Sequence, residues 1–235
     1  GSPAHRLKVS LRSPFLLPRL ALVDPELTYS MPPALTAATG LDALTQLLEA
    51  YVSRNANPLT DGFCREGLCR AGRSLAAAVA DGGNPSARED MCVASLCGGL
   101  ALANARLGAV HGIAGPFGGM FPAAPHGAVC GRLLPFVTAA NIAIVKTRQP
   151  GSALLRRFDE AARLLTDAET ARAEEGAAWL RDLCHRLALP PLAAYGFGPE
   201  HLSELASKSL AASSMRGNPV DLTPADVKSI IDQAR

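Results

Sequence analysis

The side chains with the most chemistry to offer are few and fall in two places. In the segment 39–51, Asp42, Gln46 and Glu49 recur at i, i+4 and i+7, while Leu41, Leu44, Leu48 and Tyr51 fall on another face at helical spacing. A stripe of this kind is ordinarily the solvated side of a surface helix. Here the charge density is low and the flanks are alanine-rich, which argues for burial and for a use of the carboxylates beyond solvation.

The second place holds two histidines. The segment Gly98 to Gly112 carries Gly98-Gly99 inside a helical pattern, each glycine costing about 1 kcal/mol relative to alanine, a cost that close packing against another helix or a ligand would offset. It ends at His111-Gly112, passes into 115–122, which reads as a Gly/Pro loop, and resumes at Pro125-His126-Gly127. His111 and His126 thus stand at the end of one helix and the start of another, fifteen positions apart. Neutral imidazole is the commonest metal ligand, and helix-end ligands joined by a stiff loop can converge on one ion. Helix-end histidines also serve as caps or packed side chains, and spacing leaves both uses open.

The elements that must position these residues are helical. Pro or Asn-Pro at starts and Gly pairs at stops predict helices near 34–54, 58–80, 86–107, 127–147, 152–166, 168–188, 199–213 and 224–234. Before them, 7–12 alternates apolar and polar and 20–23 is a short apolar run closed by Asp24-Pro25, both strand-like. Two strands do not make a stable sheet alone, so they read as remnants of a larger sheet, and the fold class is mainly α with a short β remnant. Residues 1–30 are assigned to the remnant strands and 31–235 to an all-helical domain.

Composition narrows the class further. The 235 residues are 48% apolar and 19% charged, enough for a full core. Lys plus Arg number 23 against 21 Asp plus Glu, without a long run of either sign, so no nucleic-acid footprint is present. No continuous apolar stretch approaches the roughly 20 residues of a membrane span, and residues 1–20 lack the order of a signal peptide; the expected compartment is cytoplasmic. Cys64, Cys69, Cys92, Cys97, Cys130 and Cys184 form no CxxC pair, and are read as buried free thiols. His185 and His201 lie on amphipathic segments and read as surface or packing residues; Trp179 reads as a core anchor.

The order of motifs resembles a known family. Asp24-Pro25 with Leu27-Thr28, Thr39-Gly40-Leu41-Asp42-Ala43-Leu44-Thr45 with Glu49 and Tyr51, Asn104, Leu107-Gly108, His111-Gly112, Pro125-His126-Gly127, Leu134-Pro135, Asn141 and Asn218-Pro219 closely match the iron-containing (group III) alcohol dehydrogenases over nearly the whole chain. The resemblance implies a dehydroquinate synthase-like, two-domain parent: an N-terminal α/β domain binding NAD or NADP, and a C-terminal helical-bundle domain holding iron or zinc. It implies metal ligands at Asp42, His111 and His126, which are also the expected catalytic residues. The fourth ligand position, a histidine in the family, is Gln46, and a further family histidine four residues after His111 is Gly115. Lys8 and Leu27 match positions near the cofactor.

The activity that the resemblance implies is that of an NAD(P)-dependent alcohol dehydrogenase or aldehyde reductase, acting on a small alcohol or aldehyde as a homodimer. The family's Gly-Gly-Gly-Ser phosphate loop does not occur in the chain, so the chain alone is expected not to turn over. Two rivals stand beside this reading. A carboxylate with two histidines is also the ligand set of non-haem iron oxygenases, although those sites usually lie on β scaffolds. Gln46 and Gly115 also fit a non-catalytic, metal-free binding or structural protein.

Overall fold

Three of the helix starts follow from a side-chain cap followed by proline. The computed structural model describes residues 6, 8 and 13–235. It contains α1 (Pro33–Val52), α2 (Pro58–Ala80), α3 (Pro85–Ala105), α4 (Ala109–Met120), α5 (His126–Arg148), α6 (Ala153–Thr166), α7 (Ala173–Arg186), α8 (Leu202–Ala211) and α9 (Pro224–Ala234). Asn57, Asn84 and Thr223 each accept backbone N–H groups of the turn that follows, with proline at the first helical position. Thr60 returns the bond to the Asn57 N–H, completing a capping box.

The core is built around α1. Leu41, Leu44, Leu47 and Tyr51 are fully buried, and α2, α3 and α5 pack on three sides of it. The close approach of α5 depends on glycine: a Cβ on Gly127 would stand 2.0 Å from the Ala38 carbonyl oxygen, and one on Gly131 would stand 2.8 Å from Leu41. The two glycines lie one turn apart and form a groove that draws the start of α5 onto the first half of α1. α5 is long and apolar enough to cross a membrane, yet 72% of its most apolar window is buried inside the fold, the position of a core helix.

Four elements differ from the sequence expectation. The 115–122 segment, expected as a loop, is mostly helix: α4 runs from Ala109 to Met120 through Pro116. An interior proline costs about 3 kcal/mol, but Val110, Ile113, Phe117 and Met120 are all buried on one face at helical spacing, and each large apolar side chain buried contributes roughly 1.5–3 kcal/mol. Burial outweighs punctuation here. The helix expected from 168 starts at Ala173 after Asp167 turns left-handed (φ 54°), and that expected over 199–213 is a 3-10 turn, α8 and a second 3-10 turn. Residues 20–23 form no strand: they are exposed, without regular structure, between 3-10 turns at Pro14–Leu16 and Pro25–Thr28. Strand pairing requires a neighbour, and no strand occurs among the described residues. Most of the expected strand 7–12 lies outside the described residues.

Between α3 and α4 the chain bends by 99°. The turn is made at Arg106, which takes φ 64° and ψ 169°, a backbone region that is essentially glycine's own. Leu107 and Gly108 follow, and the redirected α4 points its N-terminus at α1.

Candidate metal centre

The bend has a chemical consequence, because the first backbone N–H groups of α4 are orphan donors inside the protein. Glu49 of α1, with its side chain 6% exposed, accepts the Val110 N–H at 2.6 Å, and Asn218 accepts the Ala109 N–H at 3.2 Å. Asn218 is itself held by a reciprocal pair of amide hydrogen bonds with Asn141 on α5, at 3.0 and 3.2 Å. Gly108 leaves room for both caps, since a Cβ there would lie 2.9 Å from the Glu49 carboxylate.

His111 sits in that first turn of α4, and not at the end of α3 as expected. Its Nδ1 donates to Glu49 Oε2 at 2.7 Å, and its Nε2 faces Asp42 Oδ1 at 3.1 Å. Asp42 comes from α1, two turns before Glu49. His126 opens α5 beside Asp42, where Gly127 permits contact with α1, and its ring centroid is 5.5 Å from that of His111. One turn further, Cys130 is completely buried, with Sγ 3.6 Å from His126 Nε2. One donor atom from each of Asp42, His111, His126 and Cys130 lies within 4.8 Å of the others. Three helices therefore deliver a carboxylate, two imidazoles and a thiol to one point.

Electrostatics reflect the crowding. Burial opposes a charge on His111, but the Cys130 sulfur and the Asp42 and Glu49 carboxylates outweigh it and hold its pKa well above the usual histidine range. Burial and the neighbouring His111 and Lys8 cations push His126 down, although Asp42 favours its charge. Asp42 is partly buried, which alone would raise it, yet hydrogen bonding and attraction from His111 hold it below the ordinary carboxylate range. Burial pushes the Cys130 thiol up to about 11.

These residues fit a divalent cation. His126 turns its Nε2 toward Cys130 and its buried Nδ1 has no hydrogen-bond partner, so the protein itself makes little use of this imidazole, an unmet demand of the kind native interiors seldom leave. Carboxylate, imidazole and sulfur are the donors of zinc and iron sites. The Glu49–His111 bond is the usual outer support of a metal-bound histidine, fixing the tautomer and the ring.

The other sequence candidates fall nearby or apart. Gln46 is half-buried on α1, and its carboxamide oxygen packs over Gly98 of α3, at 3.2 Å from where a Cβ would stand. Lys8 is exposed, and its stem passes 3.8 Å from a Cβ position on Gly118 of α4. Leu27 lies in the 3-10 turn Pro25–Thr28, 79% exposed. Two functional candidates had no role assigned from sequence: Glu49, visible only as a member of a polar stripe, and Cys130, whose signal was its spacing of four residues after His126 on one helix.

Fold and site together define a helical domain carrying a cluster of four donors that could hold a metal ion. The chain belongs to the iron-containing alcohol dehydrogenase family, since residues 36–235 match the family model described as Fe-containing alcohol dehydrogenase family, C-terminal. Alcohol dehydrogenase 4 of Saccharomyces cerevisiae is 37% identical over 230 residues, covering 97% of this chain and 58% of the relative. The 1,3-propanediol dehydrogenase of Klebsiella pneumoniae is 47% identical over 126 residues, 54% of this chain and 32% of that protein. Among solved structures, a 1,3-propanediol oxidoreductase superposes with a TM-score of 0.82 at 34% identity, over 90% of this chain and 55% of the other. The chain thus spans a little over half the length of the full-coverage relatives it matches.

Proposed function

We propose that the protein carrying this chain is an NAD(P)-dependent alcohol dehydrogenase or aldehyde reductase, with Asp42, His111 and His126 holding iron or zinc. The observation that carries the reading is the convergence of those three side chains from α1, α4 and α5 onto one point, with a donor atom of each within 4.8 Å of the others. A divalent ion there supplies Lewis-acid stabilisation of negative charge on the substrate oxygen, and a nicotinamide supplies the hydride partner.

The chain's own residues prepare that chemistry. Glu49 keeps a proton on His111 Nδ1 and turns Nε2 toward Asp42, while the α4 N-terminus fixes Glu49 in turn. Asp42 provides the compensating negative charge. The position four residues after His111, where the family has a histidine, is Gly115, so this chain offers no imidazole there to take a proton from the substrate oxygen. Lys8 and Leu27 are assigned to the edge of the cofactor site, with residues 1–30 forming part of the nucleotide-binding domain.

Gln46 at a position that the family gives to a ligand favours a second reading, a non-catalytic protein with an unused site. Assay of the complete protein separates the two. NAD(P)H-dependent reduction of an aldehyde, lost in His111→Ala, supports the enzyme; no turnover by a metal-loaded, folded protein with any simple aldehyde overturns it.

A further inference from the structure

The geometry points to Cys130 as a metal ligand in this chain, a thiolate donor that stands in for the fourth ligand Gln46 does not provide. This assignment deepens the proposed metal site and rests on it.

Position is the first argument. Cys130 Sγ is 3.6 Å from His126 Nε2 and belongs to the group of four donors within 4.8 Å of one another. Adjacent donors in a tetrahedral site with metal–ligand bonds of 2.0–2.3 Å stand roughly 3.3–3.8 Å apart, so the His126–Cys130 pair is already at ligand spacing and the His111–Asp42 pair, at 3.1 Å, is slightly inside it.

Register is the second. A helix offers two ligands to one ion when they are four residues apart on one face. On α1 that pair would be Asp42 and Gln46, but the Gln46 carboxamide leans over α3, into space that Gly98 leaves open. On α5 the pair is His126 and Cys130, and both point at Asp42 because Gly127 and Gly131 bring their helix against α1. The four-residue pair has moved from one helix to the other.

Surroundings are the third. A buried cysteine with no function behaves as a small hydrophobe, and Cys184 shows that behaviour, donating to the Gly131 carbonyl at 3.1 Å. Cys130, also buried, instead faces a carboxylate and two imidazoles. On binding, the S–H bond breaks, its proton leaves to solvent, and the sulfur lone pair forms the bond to the ion. Asp42 and Cys130 then supply two negative charges to a divalent cation. A thiolate also shifts preference from iron(II) toward softer zinc.

The test uses cobalt(II) as a spectroscopic stand-in for zinc. Wild-type chain and Cys184→Ser are expected to show an intense near-ultraviolet thiolate-to-cobalt charge-transfer band at one equivalent of metal. Cys130→Ser should bind cobalt with affinity reduced roughly tenfold or more, given that even outer-shell partners are worth 10–100-fold, and without the band. Gln46→Ala should retain both the band and the wild-type affinity. Should Cys130→Ser not fold, X-ray absorption of zinc-loaded wild-type protein decides: one sulfur neighbour at about 2.3 Å supports the assignment, and only nitrogen and oxygen neighbours overturn it. Cobalt binding without the band, or a band that survives in Cys130→Ser, overturns the Cys130 assignment and leaves the metal site standing. No cobalt or zinc bound by folded wild-type chain overturns both.

Discussion

Glu49 and His111 are joined across α1 and α4 by a 2.7 Å bond between Oε2 and Nδ1, and the same carboxylate accepts the Val110 N–H at 2.6 Å. One buried acid thereby caps a helix and aims an imidazole. Replacing it by alanine leaves orphan N–H donors and an unoriented ring. Glu49→Ala is expected to cost about 2 kcal/mol or more of stability, the penalty of unsatisfied buried groups, and to weaken zinc binding by roughly 10–100-fold. Denaturation and chelator competition measure the two effects; unchanged zinc affinity contradicts the role given to Glu49.

Gly127 makes the α1–α5 contact possible. A methyl group there would meet the Ala38 carbonyl oxygen at 2.0 Å and Asp42 Cβ at 3.1 Å, and both obstacles are tied to a helix backbone. Gly127→Ala should destabilise the fold by about 1–3 kcal/mol and separate His126 from Asp42, reducing metal affinity. Gly99→Ala is the control, since nothing lies within 4 Å of its Cβ position. Equal stability of the two variants would contradict the packing argument.

Arg106 holds the bend into α4 at φ 64°, ψ 169°, a conformation costing about 1–3 kcal/mol for a residue with a side chain. Its side chain is exposed. Arg106→Gly relieves the strain and loses part of that gain to unfolded-state entropy, so a net gain of about 1 kcal/mol, or roughly 2–4 °C in Tm, is expected in thermal unfolding. A lower Tm would show that the guanidinium matters more than the backbone.

Asp90 joins α3 to α2, accepting from Arg73 at 2.7 Å, Arg70 at 2.8 Å and Ser74 at 2.5 Å. Arg73 foremost among these holds its carboxyl at about 2, against the burial that would raise it. A depressed folded-state pKa contributes stability that is complete above the unfolded value near 4 and is lost as pH falls through about 2. Its size is about 2 kcal/mol, at 1.36 kcal/mol per unit. Urea unfolding of wild type and Asp90→Asn should therefore differ by a gap that is constant near neutrality and closes between about pH 4 and pH 2. A gap independent of pH there would contradict the assignment.

Much of the fold was legible in the sequence, for identifiable reasons. The starts of α2 and α9 are specified by the cap–proline pairs Asn57-Pro58 and Thr223-Pro224, which act within one turn and need no tertiary knowledge. Asp42, His111 and His126 were marked by the family resemblance, and the structure brings all three together. α4 was not legible because glycine and proline are local signals, whereas the burial of Ile113, Phe117 and Met120 that overrides them is tertiary. Residues 20–23 have the composition of a strand but no partner to pair with. Cys130 was read as a buried thiol, which it is; what spacing could not reveal is that its neighbours are Asp42, His111 and His126.

Everything proposed for the site depends on Asp42, His111 and His126 holding one divalent ion. Elemental analysis and titration of the purified chain, beside His111→Ala, examine that dependence without any assumption about substrate. Close to one zinc or iron per wild-type chain is expected, and none retained by the variant, with both proteins folded by circular dichroism. A folded wild-type chain that binds no metal, or a variant that binds as tightly as wild type, would contradict it.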